Sequence, residues 1–241
     1  MRRSYIAVRG PDAVEYLNRM LSNDVPESGS VDALLLTPKA RVIALLLVWR
    51  RGEDDVLLLT EPELGEVVRA QLIRMRFAAK CEIELEEHTS TIVLGEHDGI
   101  PNRDFGVAAT EVLDAELDAP VPDDELERLR IEAATPRFGR EIDDRVLPAE
   151  AGLDARAISF GKGCYPGQEP VARQHYRGKV NRRLRVVDVE GAPEPETPVA
   201  YEGKEVGRVT SAVDGVALAY VRVEVPVGAL LDIGGAPARS R

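Results

Sequence analysis

The stretch Lys162-Gly163-Cys164-Tyr165-Pro166-Gly167-Gln168-Glu169 gathers reactive side chains as no other part of the chain does. A thiol, an ammonium, a phenol, an amide and a carboxylate offer one ligand a nucleophile, donors, acceptors and both signs of charge. Two glycines and a proline within these eight residues defeat helical and strand periodicity alike, so the stretch reads as a turn. Lys162 lies two residues before Cys164, and Arg173 and His175 follow it; cations brought close to a thiol favour its thiolate. Residue types leave two readings open: Cys164 as a working thiol with His175 as a candidate base, or a structural turn carrying an incidental cysteine.

Charge sharpens the choice. From 162 to 185 there are seven cations (Lys162, Arg173, Arg177, Lys179, Arg182, Arg183 and Arg185) against Glu169 alone, in a chain whose formal net charge is -11. A cationic island beside a glycine-rich turn suits an anionic ligand, because arginine forks pair with carboxylate or phosphate. Lys162, Arg173 and Arg177 lie nearest the turn and are the better candidates, whereas Arg182, Arg183 and Arg185 are equally readable as the solvent face of a strand.

The totals bound the function. With 241 residues and 44% hydrophobic content the chain can bury a real core as one large domain or two modest ones. The acidic balance argues against direct nucleic-acid binding and against attraction to anionic membranes. No apolar run approaches the roughly 18 residues of a membrane span. Two cysteines, Cys81 and Cys164, and three histidines make neither a disulfide framework nor a dense metal site, so a reducing cytoplasm is the simplest setting.

The elements that must position the turn follow from periodicity. Ser4 to Val8 reads as a strand, and PDAVEYLNRMLS as an amphipathic helix with Ala13, Leu17, Met20 and Leu21 on one face. Val31 to Leu36, Val42 to Trp49 and Val56 to Leu59 are apolar enough for buried strands. A second helix carries Leu64, Val68, Leu72 and Met75. Cys81, Ile83 and Leu85 then alternate with glutamates, which makes Cys81 a structural residue on a half-exposed strand. Thr91 to Leu94 is a further strand and Gly95 to Arg103 a polar loop. A helix spans DDELERLRIEAA, and the charged, aperiodic run from Phe138 to Leu153 delivers the chain to the turn. Beyond residue 180, short strands at Leu184 to Val189, Glu205 to Thr210, Val216 to Val223 and Ala229 to Ile233 alternate with turns, as in a small sandwich or barrel.

The octet at 162–169 resembles the K-G-C-[YF]-x-G-Q-E signature of the YgfZ family, folate-binding relatives of the glycine-cleavage T-protein. The likeness extends to Gly10-Pro11-Asp12-Ala13, to Arg130-Ile131-Glu132-Ala133, and to Val171-Ala172-Arg173 with Arg177-Gly178. It covers residues 1–60 and 125–233 and only loosely the middle. The resemblance implies an α+β fold: a T-protein-like folate-binding body of two ferredoxin-like parts, followed by a small C-terminal β-barrel. The corresponding domains are 1–179, with an inserted subdomain at about 38–110, and 180–241. It implies tetrahydrofolate or a derivative as cofactor, Glu132 as the carboxylate that holds the pterin ring, and Cys164 as the functional thiol. Lys162, Tyr165, Gln168, Glu169, Arg173 and Arg177 are the accompanying cofactor-binding candidates. It further implies a cytoplasmic role in iron–sulfur cluster assembly or repair, with iron–sulfur client or assembly proteins as partners, among them tRNA-modifying enzymes.

Two departures matter. The T-protein carries an acidic pair in its early strands, and the matching stretch here, Ala40-Arg41-Val42-Ile43-Ala44-Leu45, has no carboxylate. Without an acid to assist proton transfer, aminomethyl or one-carbon transfer with tetrahydrofolate is the lesser alternative. Ala134 stands where the relatives place glycine. A ligand-sensing module without chemistry is a third reading.

Overall fold

Strands whose every residue is apolar need cover on both faces, and the N-terminal sheet has it. The computed structural model describes residues 3–115 and 121–241. Strands β1 (Ser4–Arg9), β2 (Ser30–Leu36), β3 (Val42–Arg50), β4 (Asp55–Thr60) and β5 (Glu82–Glu86) form an antiparallel sheet in the order β2-β3-β4-β1-β5. Alternation along β1 and β4 sends Ile6, Val8, Val56 and Leu58 to one face and Tyr5, Ala7, Leu57 and Leu59 to the other. The first face packs on helices α1 (Ala13–Met20) and α2 (Gly65–Met75) through Tyr16, Leu17, Val68 and Leu72. The second meets Ile100 of a smaller sheet, β6 (Ser90–Leu94), β7 (Ile100–Asn102) and β8 (Ala109–Leu113), ordered β6-β8-β7. Cys81 is buried among the first set just before β5, as expected for a packing residue, and burial pushes its thiol pKa up.

The polar loop expected from Gly95 to Arg103 contains strand β7. Pro101 lies in its middle, which is tolerated because β7 is an edge strand paired only with β8.

Helix α3 (Asp123–Glu132) leads to an irregular segment and then to α4 (Leu153–Ala157) and α5 (Gln168–Arg177). The irregular segment is anchored by Ile142, Val146 and Leu153, which share a core with Leu34, Leu36, Tyr165 and Val171. The C-terminal region is a closed barrel of six strands: β9 (Arg182–Val189), β10 (Pro198–Tyr201), β11 (Lys204–Val213), β12 (Val216–Arg222), β13 (Leu230–Ile233) and β14 (Ala236–Ser240), in the order β10-β11-β12-β9-β14-β13. The expected α+β body with a small C-terminal barrel is therefore what forms. Periodicity missed β10 and β14, which are short and carry prolines and small residues in place of a β-branched alternation. Among the described residues no helix is long and apolar enough to cross a membrane.

Candidate functional site

The turn at 162–167 is held from beneath. The Lys162 ammonium is almost wholly buried and donates to the main-chain oxygens of Leu21 (2.9 Å) and Asn23 (2.8 Å), with Asp24 at 3.6 Å. Burial lowers its pKa, and Asp24 opposes that shift. Tyr165 is sunk in the core with Leu34, Leu36 and Val171, its phenol pKa raised by burial. The Gln168 amide reaches back to the Lys162 and Gly163 carbonyls, at 3.4 Å each. Gly167 adopts φ +85°, and a Cβ there would lie 2.6 Å from the Thr37 oxygen, so only glycine lets α5 start against the β2–β3 turn. Lys162, Tyr165 and Gln168, all candidates for ligand contact, thus build the turn. Cys164 is left exposed at its crest as a free thiol.

The helix after the turn was not anticipated, although its signals stand in the sequence. Glu169 and Pro170 lie in its first turn, His175 and Arg177 in its last, and Gly178 follows. Glu169 and Arg173 pair across one turn at 2.7 Å on the exposed face. His175 stacks on Phe160 with ring centroids 3.9 Å apart, and among the described residues no hydrogen bond joins it to Cys164.

Between α5 and the 147–160 segment lies a cleft of about 480 Å³. Pro148, Ile158, Phe160 and Val171 make its apolar wall, and Asp154, Gln174, His175 and Arg177 add polar groups. Arg173 and Arg177 are the sequence candidates that line it. Phe160 and Pro170, which bracket the Cys164 turn in the chain, line it as well.

Glu132 stands elsewhere. It ends α3, the helix that packs on barrel strands β11 and β12, and its half-exposed side chain lies 3.8 Å from Arg128. It lines neither the cleft beside α5 nor the interior crevice described next. The cationic island also divides. Arg182 pairs with Glu150 at 3.3 Å and lies over the Tyr220 ring, and Arg185 donates to the Val225 oxygen at 2.8 Å. Arg182 thus ties the barrel to the segment that carries Glu150, whereas Arg185 is engaged within the barrel region itself.

What residue-by-residue reading missed is the interior. Arg156 donates to Asp32 (2.7 Å), to the Thr135 hydroxyl (2.9 Å) and to Asp104, which also pairs with Arg3 at 2.8 Å. Burial alone would push the Asp104 pKa up, but the two guanidiniums hold it below its ordinary value. Arg130, completely buried, pairs with Glu127 at 2.7 Å and with Glu141 at 3.2 Å, and Arg137 joins Glu61 at 3.3 Å. These groups come from segments up to 124 residues apart, so no local spacing announces them. Of these groups Arg3, Asp32, Glu61, Asp104, Arg130 and Arg137 line a crevice of only about 30 Å³ whose other wall includes Leu45 and Leu47 of β3. A pterin ring does not fit there, whereas the cleft beside α5 falls within the roughly 300–1,000 Å³ of small-molecule sites.

Residues 181–241 match the family model described as the CAF17 C-terminal beta-barrel domain. The structure resembles the glycine cleavage system aminomethyltransferase T of Bartonella henselae, with a TM-score of 0.81 at 20% identity over 99% of this chain and 82% of that one; this likeness shows a T-protein-like fold. An iron-sulfur cluster assembly factor IBA57 homolog of Pyricularia oryzae is 26% identical over 98% of this chain and 73% of its own length. An aminomethyltransferase of Moorella thermoacetica is 30% identical over 86% of this chain and 71% of its own length. On that identity and coverage, the chain belongs to the aminomethyltransferase family.

Proposed function

We propose that this member of the family is a folate-binding accessory protein for iron–sulfur cluster assembly or repair, with Cys164 as its working thiol. The observation that carries the reading is the presentation of Cys164: a buried lysine, a buried tyrosine and an obligatory glycine fix a turn whose only projecting reactive group is an exposed thiol. Such a thiol is accessible to a partner or to a cluster in transit. Two cysteines in the chain cannot supply the four thiolates that hold a [4Fe–4S] cluster, so a cluster would be shared with a client. The similarity to the IBA57 homolog and to the CAF17 barrel supports this role. Folate enters through the resemblance to folate-binding relatives and through a cleft of suitable size beside the turn.

Aminomethyl transfer is the second reading, favoured by the similarity to the Moorella aminomethyltransferase. Against it, β3 presents Leu45 to the interior crevice, and the crevice acids Asp32, Glu61 and Asp104 are engaged by arginines. A carboxylate locked in an ion pair is a poor proton shuttle. Deleting the gene should depress iron–sulfur tRNA-modifying enzymes and leave glycine cleavage at its normal rate. A loss of glycine cleavage with normal iron–sulfur enzyme activity would reject the proposal in favour of the second reading.

A further inference from the structure

We propose that the outward face of α2 is a dimerisation surface, on which a second copy of this chain lays its own α2 antiparallel with Ala70 at the centre. Gly65, Val68 and Leu72 turn inward to the sheet. At about 3.6 residues per turn the opposite face then carries Glu66, Val67, Ala70, Ile73 and Arg74, and all five are exposed. A helix that packs by one face ordinarily keeps the other polar. Here Val67 is 48% and Ile73 39% exposed, and Phe77, just past the helix end, is 83% exposed. With Ala70 they recur in steps of three and four residues, which is the spacing of a helix–helix seam.

Charge identifies what covers this face. Counted outward from Ala70 the helix is self-complementary: Val67 and Ile73 stand three residues to either side, and Glu66 and Arg74 stand four. Antiparallel pairing about Ala70 therefore sets Val67 level with Ile73 of the second copy and Glu66 level with its Arg74, and two-fold symmetry repeats both contacts. Phe77 comes level with the exposed Glu63 just before the other helix. The small side chain at the axis lets the two helices approach closely. Parallel pairing would set Glu66 against Glu66 and Arg74 against Arg74, so charge selects the antiparallel arrangement. Both charged groups are available for it. Arg74 donates to the Gln71 amide oxygen at 2.6 Å and has no anionic partner among the described residues. Glu66, its side chain 69% exposed, meets only Arg69 at 3.5 Å among the described residues. Arg69 itself is drawn toward the sheet by its bond to the Ile83 oxygen at 3.3 Å. One helix against its copy is a small interface, so a dissociation constant on the order of 10 μM is expected.

The test is sedimentation velocity of the full chain across roughly 1–200 μM, a range that spans that constant. Wild type should pass from monomer to dimer as concentration rises. Glu66→Arg and Arg74→Glu each set like charges level at both ends of the seam, and each should weaken dimerisation at least about tenfold. Mixed in equal amounts, the two single variants should pair with each other, because each supplies the charge that the other lacks. The double variant Glu66→Arg/Arg74→Glu, with both signs exchanged, should dimerise as wild type does. Both positions are exposed, and unchanged circular dichroism and thermal unfolding would show that every variant keeps the fold. Wild type that stays monomeric throughout would overturn the proposal. So would a dimer indifferent to both single substitutions, which would place the contact on another face, or single variants that fail to associate when mixed.

Discussion

Glu141 is the bolt between body and barrel, and replacing it tests how the two are joined. Its side chain is wholly buried. One carboxylate oxygen accepts from Arg130 (3.2 Å) and from the Arg137 main-chain N–H (2.9 Å), the other accepts from the Ser211 hydroxyl (2.6 Å), and its main-chain oxygen accepts from Tyr220 (2.8 Å). Glu141→Ala strips the partners from all three side-chain bonds and leaves a buried guanidinium short of one anion. Breaking a buried pair in this way costs about 3–5 kcal/mol. Arg130 keeps its two bonds to Glu127 and one to the Thr135 oxygen, which puts the expected loss near 3 kcal/mol. Glu141→Gln keeps the shape: its amide oxygen can face the two N–H donors and its NH₂ can donate to Ser211. Only the charge is lost, and exchanging a charged for a neutral acceptor costs about 1–1.5 kcal/mol. Urea unfolding of wild type and both variants measures these losses as shifts in midpoint at unchanged slope. A loss below about 1 kcal/mol for the alanine variant, or equal losses for the two, would refute the assignment of Glu141 as a buried ionic junction.

Other outcomes follow from single positions. Gly167→Ala forces a Cβ to 2.6 Å from the Thr37 oxygen at a positive φ and should cost at least about 2 kcal/mol, with faster amide exchange along α5 as the readout. Ala134 has φ +53°, so Ala134→Gly should raise stability by about 0.5–1 kcal/mol in urea unfolding. His88 faces two carboxylates, Asp114 at 2.5 Å and Glu86 at 3.0 Å; burial would lower its pKa, but the two hydrogen bonds raise it above the ordinary 6.5. A raised folded-state pKa means this contribution to stability is fully present below pH 6.5 and is lost as pH rises through the folded value. An NMR titration should find the imidazole titrating above 6.5, and His88→Gln should flatten the fall in stability above that pH.

Burial was the legible part of the chain. The runs ending in Leu36, Trp49 and Leu59 announced strands covered on both faces, and Cys81 in its alternating strand announced a packed thiol. The Cys164 turn was legible as a turn, but the roles of its neighbours were not. A lysine beside a cysteine looks like a thiolate partner until the fold brings the Leu21 and Asn23 carbonyls beneath it. Glu132 was placed by resemblance, and the helix that carries it docks on β11 and β12. The interior ion network was invisible because Arg3, Asp32, Asp104 and Arg156 meet only after folding. The departure at Ala134 was read in the sequence, and its physical meaning, a left-handed residue where glycine is easier, came from the backbone.

The role proposed for the exposed Cys164 thiol is service to iron–sulfur proteins. Its most direct test is complementation of a strain lacking this gene by wild type and by Cys164→Ser, with both proteins present at equal levels and equal thermal stability. The substitution removes only the sulfur of an exposed side chain, so the fold should be unchanged. Wild type should restore the activity of the iron–sulfur enzymes, and Cys164→Ser should not. Full restoration by Cys164→Ser would contradict this and return the turn to a purely structural role.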